Sequence, residues 1–215
     1  MNKLLKNNYE VNKSSPVKLS SYHLLAIEGM QKSEIQNLLD RADYFANLDK
    51  HTNTKYLSGY VVLNVFFENS TRTRVSFELA ARRLGAEVIN ISLINSSIKK
   101  GESLLDTAST LNAMKPDLLI VRHPHSGAPL LFAEYLSCSI INAGDGRHEH
   151  PTQALLDALT IITRKNKIEG LRIAICGDIL HSRVARSNIY LLNMLGAEVN
   201  IICLLYTSPS PRDRG

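Results

Sequence analysis

The chain has 215 residues, is 44% hydrophobic and carries a net charge of +5 at pH 7, enough apolar material for a real core in one large domain or one and a half ordinary ones. Its basic residues are dispersed, with no interleaved Arg/aromatic strip and no zinc-finger spacing. This argues against nucleic acid as a partner, while the modest positive balance suits small anionic substrates. The first twenty residues offer only Leu4-Leu5 as an apolar pair, and no later run reaches about eighteen apolar residues, so neither a signal peptide nor a membrane span is expected and a cytoplasmic location follows by default.

The first strong element is the run 60–67, Tyr-Val-Val-Leu-Asn-Val-Phe-Phe, whose β-branched and aromatic residues read as a buried strand of a parallel sheet. A helix follows, with Phe77, Ala80, Ala81 and Leu84 on one face and Gly85 at its stop. Beyond it the pattern alternates: strand at 87–91, polar loop at 92–101, helix at 102–114, strand at 117–121, helix at 128–136, strand at 138–142. A helix at 151–165 opens with Pro151 at a first helical position. A new unit then shows strand 171–176, helix 182–195 and strand 198–202.

This predicts an α/β fold of two similar parallel-sheet domains, the second incomplete in this chain. The pentapeptide Leu-Gly-Ala-Glu-Val occurs at 84–88 and again at 195–199, each time at a helix end before a strand. The expected domains are 1–150 for an anion-binding unit and 151–203 for the start of the second. Residues 204–215 read as a non-native tail resembling translated vector sequence, so the chain is expected to be truncated. Cys138, Cys176 and Cys203 are widely spaced in apolar surroundings and read as buried reduced thiols.

The polar residues of interest fall at the carboxyl ends of the predicted strands, where open α/β sheets bind ligands. Ser70-Thr71-Arg72-Thr73-Arg74 lies between the first strand and its helix. The first turn of a helix has unpaired N–H groups and a positive dipole end, and hydroxyls and guanidinium forks there complete a phosphate site. The competing reading makes Ser70 or Thr71 a plain N-cap and the arginines a solvated face. Against it, Arg72 and Arg74 sit where the helix dipole disfavours cations. Ser96 to Lys100, Arg122-His123-Pro124 and Gly144 to Gln153 follow the later strands. His125 and His148 read as structural histidines. The H-x-H pairs could in principle bind zinc, but no Cys or carboxylate joins them at ligand spacing, and no metal is expected. His150, just before a helix start with Gln153 one turn on, is placed to engage a carbonyl and an amide together.

Six segments in this order resemble the aspartate/ornithine carbamoyltransferase family over about residues 20 to 203: Phe67–Glu78 (FENSTRTRVSFE), Ser96–Glu102 (SSIKKGE), Arg122-His123-Pro124, Asn142–Gly146 (NAGDG), His150–Gln153 (HPTQ) and Gly177–Ala185 (GDILHSRVA). The lysine loop, the Arg122-His123-Pro124 segment and the GDILHSR segment look like the aspartate branch. The resemblance implies transfer of a carbamoyl group from carbamoyl phosphate to the amino group of L-aspartate, giving N-carbamoyl-L-aspartate and phosphate in pyrimidine biosynthesis, without a cofactor. It implies that Ser70, Thr71, Arg72 and Thr73 hold the phosphate, and that Arg122 bridges phosphate and carbonyl oxygen. His150 and Thr73 would polarise that carbonyl and Gln153 would orient the carbamoyl nitrogen. Ser96 and Lys100 would reach into a neighbouring subunit's site, Lys100 and Arg183 would hold aspartate, and the catalytic unit would be a homotrimer, to which regulatory chains can be added.

The physical logic is consistent with this. An amine attacking an activated acyl phosphate needs two anions held together, a stabilised oxyanion and a neutralised leaving group, and no protein nucleophile. The competing readings are ornithine carbamoyl transfer, and a non-catalytic module that binds phosphate or carbamoyl phosphate. Because the second unit lacks the further arginine and glutamine that the family uses for the aspartate side chain, the chain is expected to bind carbamoyl phosphate weakly and to transfer poorly.

Overall fold

The computed structural model describes residues 19–49, 52, 55–93 and 103–203. Six helices and six strands alternate among them: α1 (Lys32–Ala46), β1 (Val61–Phe66), α2 (Thr71–Arg83), β2 (Glu87–Ser92), α3 (Leu104–Ala113), β3 (Leu118–His123), α4 (Ala128–Tyr135), β4 (Ser139–Asp145), α5 (Pro151–Lys165), β5 (Arg172–Gly177), α6 (Arg183–Met194) and β6 (Glu198–Cys203). Strands β2-β1-β3-β4 form one parallel sheet in that order, and β5-β6 form a second parallel pair. This is the expected repeated α/β architecture. None of the described helices is long and apolar enough to cross a membrane.

The larger sheet is covered on both faces because β1 alternates two apolar sets. Leu63, Val65 and Phe67 point toward Ala108 and Leu111 of α3 and Phe132 of α4, whereas Val62 and Phe66 pack with Ala81 of α2. Asn64 interrupts the second set. Fully buried, it donates to the Arg74 carbonyl at 3.0 Å and to Asn90 Oδ1 at 2.8 Å, so it fastens the first turn of α2 to the sheet.

A separate core joins α5, α6 and α1: Ala154, Ala158, Leu191 and Leu192 pack with Ile27, Ile35 and Leu39. Sequence periodicity had left α1 unassigned. The repeated pentapeptide forms the same helix ending twice. Gly85 (φ +89°) and Gly196 (φ +86°) take the left-handed conformation. The N–H groups of Gly85 and Ala86 bond Arg82 and Ala81 carbonyls, and those of Gly196 and Ala197 bond Asn193 and Leu192 carbonyls. Both are Schellman caps, which glycine permits at no steric cost.

Three expectations need correction. Strands β3 and β4 run further than the predicted ends at 121 and 142, because parallel pairing continues to His123 opposite Asp145. Arg122 and Gly144 therefore lie within strands. Helix α3 starts at Leu104 rather than at 102, because Ser103 caps it reciprocally with Asp106. Only Cys138 is buried. Cys176 and Cys203 are exposed, since the two-stranded second sheet has faces that the described residues do not cover.

Candidate active site

The turn after β1 and the ends of β3 and β4 converge on one spot, joined by the starts of α5 and α6. Ser70 is the N-cap residue of α2, yet its side chain makes no cap bond, so the plain N-cap reading fails for this hydroxyl. Thr71 and Arg72 are exposed at the same helix start, while Thr73 is half-buried. Arg122 reaches from β3 to place Nη1 3.3 Å from Thr73 Oγ1. Thr73 and Arg122, two of the sequence-predicted ligands, thus meet. Ser96 and Lys100 lie outside the described residues.

An anion already sits between the cations. Glu68 Oε1 accepts from Arg122 Nε at 2.6 Å and from Arg183 Nη2 at 2.5 Å. Burial alone would raise the Glu68 carboxyl, but Arg183 and then Arg122 outweigh it and hold the group below its ordinary range. Burial and the Arg183 charge lower Arg122 in turn. Arg183 also donates to the Gly146 carbonyl at 3.2 Å. Sequence reading counted the cations of this site and missed the carboxylate that partners them, although Glu68 stands two positions before Ser70 in the quoted motif.

His150 is the N-cap residue of α5 and is buried. Burial first, then the charges of Arg122 and Arg183, push its imidazole down from 6.5 to about 4, so the ring is neutral near pH 7 and can donate one hydrogen bond without carrying charge. Its backbone N–H donates to Ser187 Oγ at 2.8 Å, and Ser187 Oγ donates to Glu149 Oε2 at 2.8 Å. The same carboxylate accepts from the N–H groups of Ile27 (2.8 Å) and Glu28 (3.0 Å). Glu149 is therefore a hub tying the N-terminal segment, α5 and α6 around His150. Its partners are all donors, as a buried carboxylate requires. Oxygen and nitrogen atoms of Glu28, His148 and Glu149 lie within 4.8 Å of one another, but both Glu149 oxygens are already committed to these donors.

Between Asn142 and Asp145, β4 carries one residue more than the facing part of β3, a bulge that re-aims the strand end. Gly144 occupies it with φ +112°, and a β-carbon there would lie 2.9 Å from Arg183 Nε and 3.2 Å from His150 Cδ2. Glycine is what lets the two side chains close over the strand. Asn142 accepts from Gly144 N at 2.8 Å and donates to Asp145 Oδ1 at 2.8 Å, and Asp145 Oδ2 accepts from Gly127 N at 2.7 Å.

Two neighbouring histidines have structural partners. His148 Nδ1 lies 3.1 Å from Asp145. His123 is buried against Phe67, with ring centroids 4.6 Å apart, and its Nδ1 accepts from His125 N at 2.9 Å, which leaves its proton on Nε2. Burial, then His125, lowers its affinity for a second proton. Gln153 sits one turn into α5, its N–H on the His150 carbonyl and its Nε2 donating to Asp157 Oδ1 at 2.9 Å.

This cradle of hydroxyls and arginines, with a neutral imidazole beside it, can bind a phosphorylated carbonyl compound and stabilise an oxyanion. Comparison with known proteins points the same way. Aspartate carbamoyltransferase catalytic subunits of Pelagibacter ubique and Rhodospirillum rubrum are 58% and 61% identical over 195 and 182 residues. These alignments take in 90% and 84% of this chain but 62% and 57% of the relatives, so the chain spans about three fifths of their length. Among solved structures, the catalytic subunit of M. jannaschii aspartate transcarbamoylase superposes with a TM-score of 0.79 at 39% identity, over 89% of this chain and 63% of that one. The Trypanosoma cruzi aspartate transcarbamoylase in complex with carbamoyl aspartate and phosphate gives 0.75 at 36% identity, over 82% and 57%. The family described as "Aspartate/ornithine carbamoyltransferase, carbamoyl-P binding domain" matches residues 22–163, and with two thirds of its length so matched the chain belongs to the aspartate/ornithine carbamoyltransferase family.

Proposed function

We propose that the chain provides the carbamoyl-phosphate site, and the first part of the aspartate site, of an enzyme that transfers the carbamoyl group to L-aspartate in the cytoplasm. The observation that carries this is the meeting of Arg122, Thr73 and neutral His150 beside the hydroxyl and guanidinium groups at the start of α2. Ser70, Thr71, Arg72 and Thr73 hold the phosphate, Arg122 bridges it to the carbonyl oxygen, and Gln153 reads the carbamoyl nitrogen. Arg183 takes the aspartate α-carboxylate.

The deprotonated amine of aspartate attacks the carbonyl carbon, and the tetrahedral oxyanion is stabilised by Arg122, Thr73 and a hydrogen bond from His150. The carbon–oxygen bond to phosphate then breaks, the proton shed by the attacking nitrogen passes to the departing phosphate, and phosphate leaves with its charge compensated by Arg72 and Arg122. An imidazole held near 4 is a poor base at neutral pH, which suits a donor role for His150. Ser96 and Lys100 act from a neighbouring subunit, making the assembly a homotrimer.

The test is equilibrium binding of carbamoyl phosphate and inorganic phosphate to the 215-residue chain, followed by assay of carbamoyl transfer to aspartate and to ornithine. The proposal expects carbamoyl phosphate to bind more tightly than phosphate, and any transfer to favour aspartate. Ornithine as the better acceptor, or no binding of either phosphate compound, would overturn it.

A further inference from the structure

Resting on that reading of Gln153, we propose that Asp157 is a positioning residue that makes Gln153 an acceptor for the carbamoyl –NH2 group. A glutamine amide is nearly isosteric end for end, so its carbonyl and amino ends compete for any site it faces. A carbamoyl nitrogen carries two N–H donors and needs the carbonyl end. Gln153 and Asp157 are one turn apart on α5, where side chains four positions apart meet. The Asp157 carboxylate accepts only, so the Gln153 amide must give it Nε2, found at 2.9 Å. Oε1 is thereby left as the end for the ligand.

The carboxylate is itself held by the neighbouring helix. Asn188 of α6 donates Nδ2 to Asp157 Oδ2 at 2.8 Å. This leaves Asn188 Oδ1 buried without a hydrogen-bond partner, an arrangement that packing alone does not favour. Two amides on two helices thus turn their nitrogen ends toward one carboxylate, which fixes the orientation of the one beside His150.

Binding of carbamoyl phosphate and of inorganic phosphate to the chain separates this role from a structural one, because inorganic phosphate has no –NH2 to read. In Asp157→Ala the preference for carbamoyl phosphate should fall by about tenfold, the worth of one hydrogen bond, with phosphate affinity unchanged. Alanine is the best helix former, so α5 persists, and retained phosphate binding reports an intact cradle. In a Gln153→Ala background the Asp157 change should cost nothing further. Equal weakening of both ligands, or losses that multiply in the double variant, overturn the inference. A wild-type chain that binds phosphate but shows no preference for carbamoyl phosphate overturns the reading of Gln153, and this inference with it. Wild-type preference left intact by Asp157→Ala overturns this inference alone.

Discussion

Glu68 and Arg183 stand 115 positions apart in sequence and meet at 2.5 Å, through the same carboxylate oxygen that Arg122 approaches at 2.6 Å. One internal anion therefore holds together two cations delivered by β3 and α6. A ligand anion entering the site has to share Arg122 with it.

Replacing Glu68 with alanine should have opposite effects on stability and on anion affinity. Two half-buried guanidinium groups lose their partner, which should lower stability by about 1–3 kcal/mol. The uncompensated positive charge should tighten inorganic phosphate binding several-fold. Denaturant unfolding and calorimetric titration check the two halves, and unchanged phosphate affinity would show that Glu68 does not compete for the site.

The imidazole of His150 makes stability depend on pH over a defined window. The folded chain keeps it neutral down to about 4, against 6.5 ordinarily. Between these values the unfolded chain binds a proton that the folded chain refuses, so stability falls as the pH drops from 6.5 toward 4. Glu68 is lowered below 4.5, so its stabilisation is lost only as the pH falls through that lower range, leaving the upper part of the window to His150. The difference between the denaturant midpoints of wild type and His150→Gln should be constant above about pH 7 and shift against the wild type as the pH falls from 6.5 toward 4. Saturating phosphate should raise the His150 value in an NMR titration, because it offsets the charges of Arg122 and Arg183.

Gly144→Ala should damage the site while leaving the sheet in place. The backbone at φ +112° strains any L side chain, and the new methyl meets Arg183 and His150 together. A stability loss of about 1–3 kcal/mol is expected, with phosphate binding weakened much more than an equally destabilising core variant would produce. Binding retained at the wild-type level would mean that Arg183 and His150 can separate without consequence.

Arg72→Ala should weaken phosphate binding by about tenfold or more, the worth of a charge-assisted hydrogen bond. Mixed with Lys100→Ala subunits in a background that carries the relatives' additional length, it should recover part of the lost activity. Each mixed trimer then holds one interface that pairs an intact Arg72 with an intact Lys100. No recovery would rule out Lys100 acting across subunits.

The fold was legible because its signals were local and redundant. The apolar run before Ser70 could be little but a buried strand, and Leu-Gly-Ala-Glu-Val announced two helix endings by glycine position alone. The cationic and hydroxyl side chains proposed as ligands stood out for a similar reason, since they cluster in short segments beside strand ends. What stayed hidden was relational. Nothing adjacent to Glu68 says that it will face Arg183, and Glu149 reads as one more charge in a polar loop until Ile27 and Ser187 come to it. Helix α1 was hidden too: its apolar positions serve a core built from residues more than a hundred positions away. The exposed cysteines were misjudged because apolar neighbours in a strand do not reveal whether that face is covered.

That placement of α1 has a consequence for the order in which the chain can mature. Ile27 waits for a carboxylate 122 positions later, and Ile35 and Leu39 wait for α5 and α6. During synthesis the apolar stripe of α1 leaves the ribosome long before its partners exist, and stays without them while the four-stranded sheet is being made. This early segment is thus among the last to dock. Folding of the second core is tied to completion of the first, and a nascent chain halted before α5 should expose α1 to chaperones and proteases even though the larger sheet has formed.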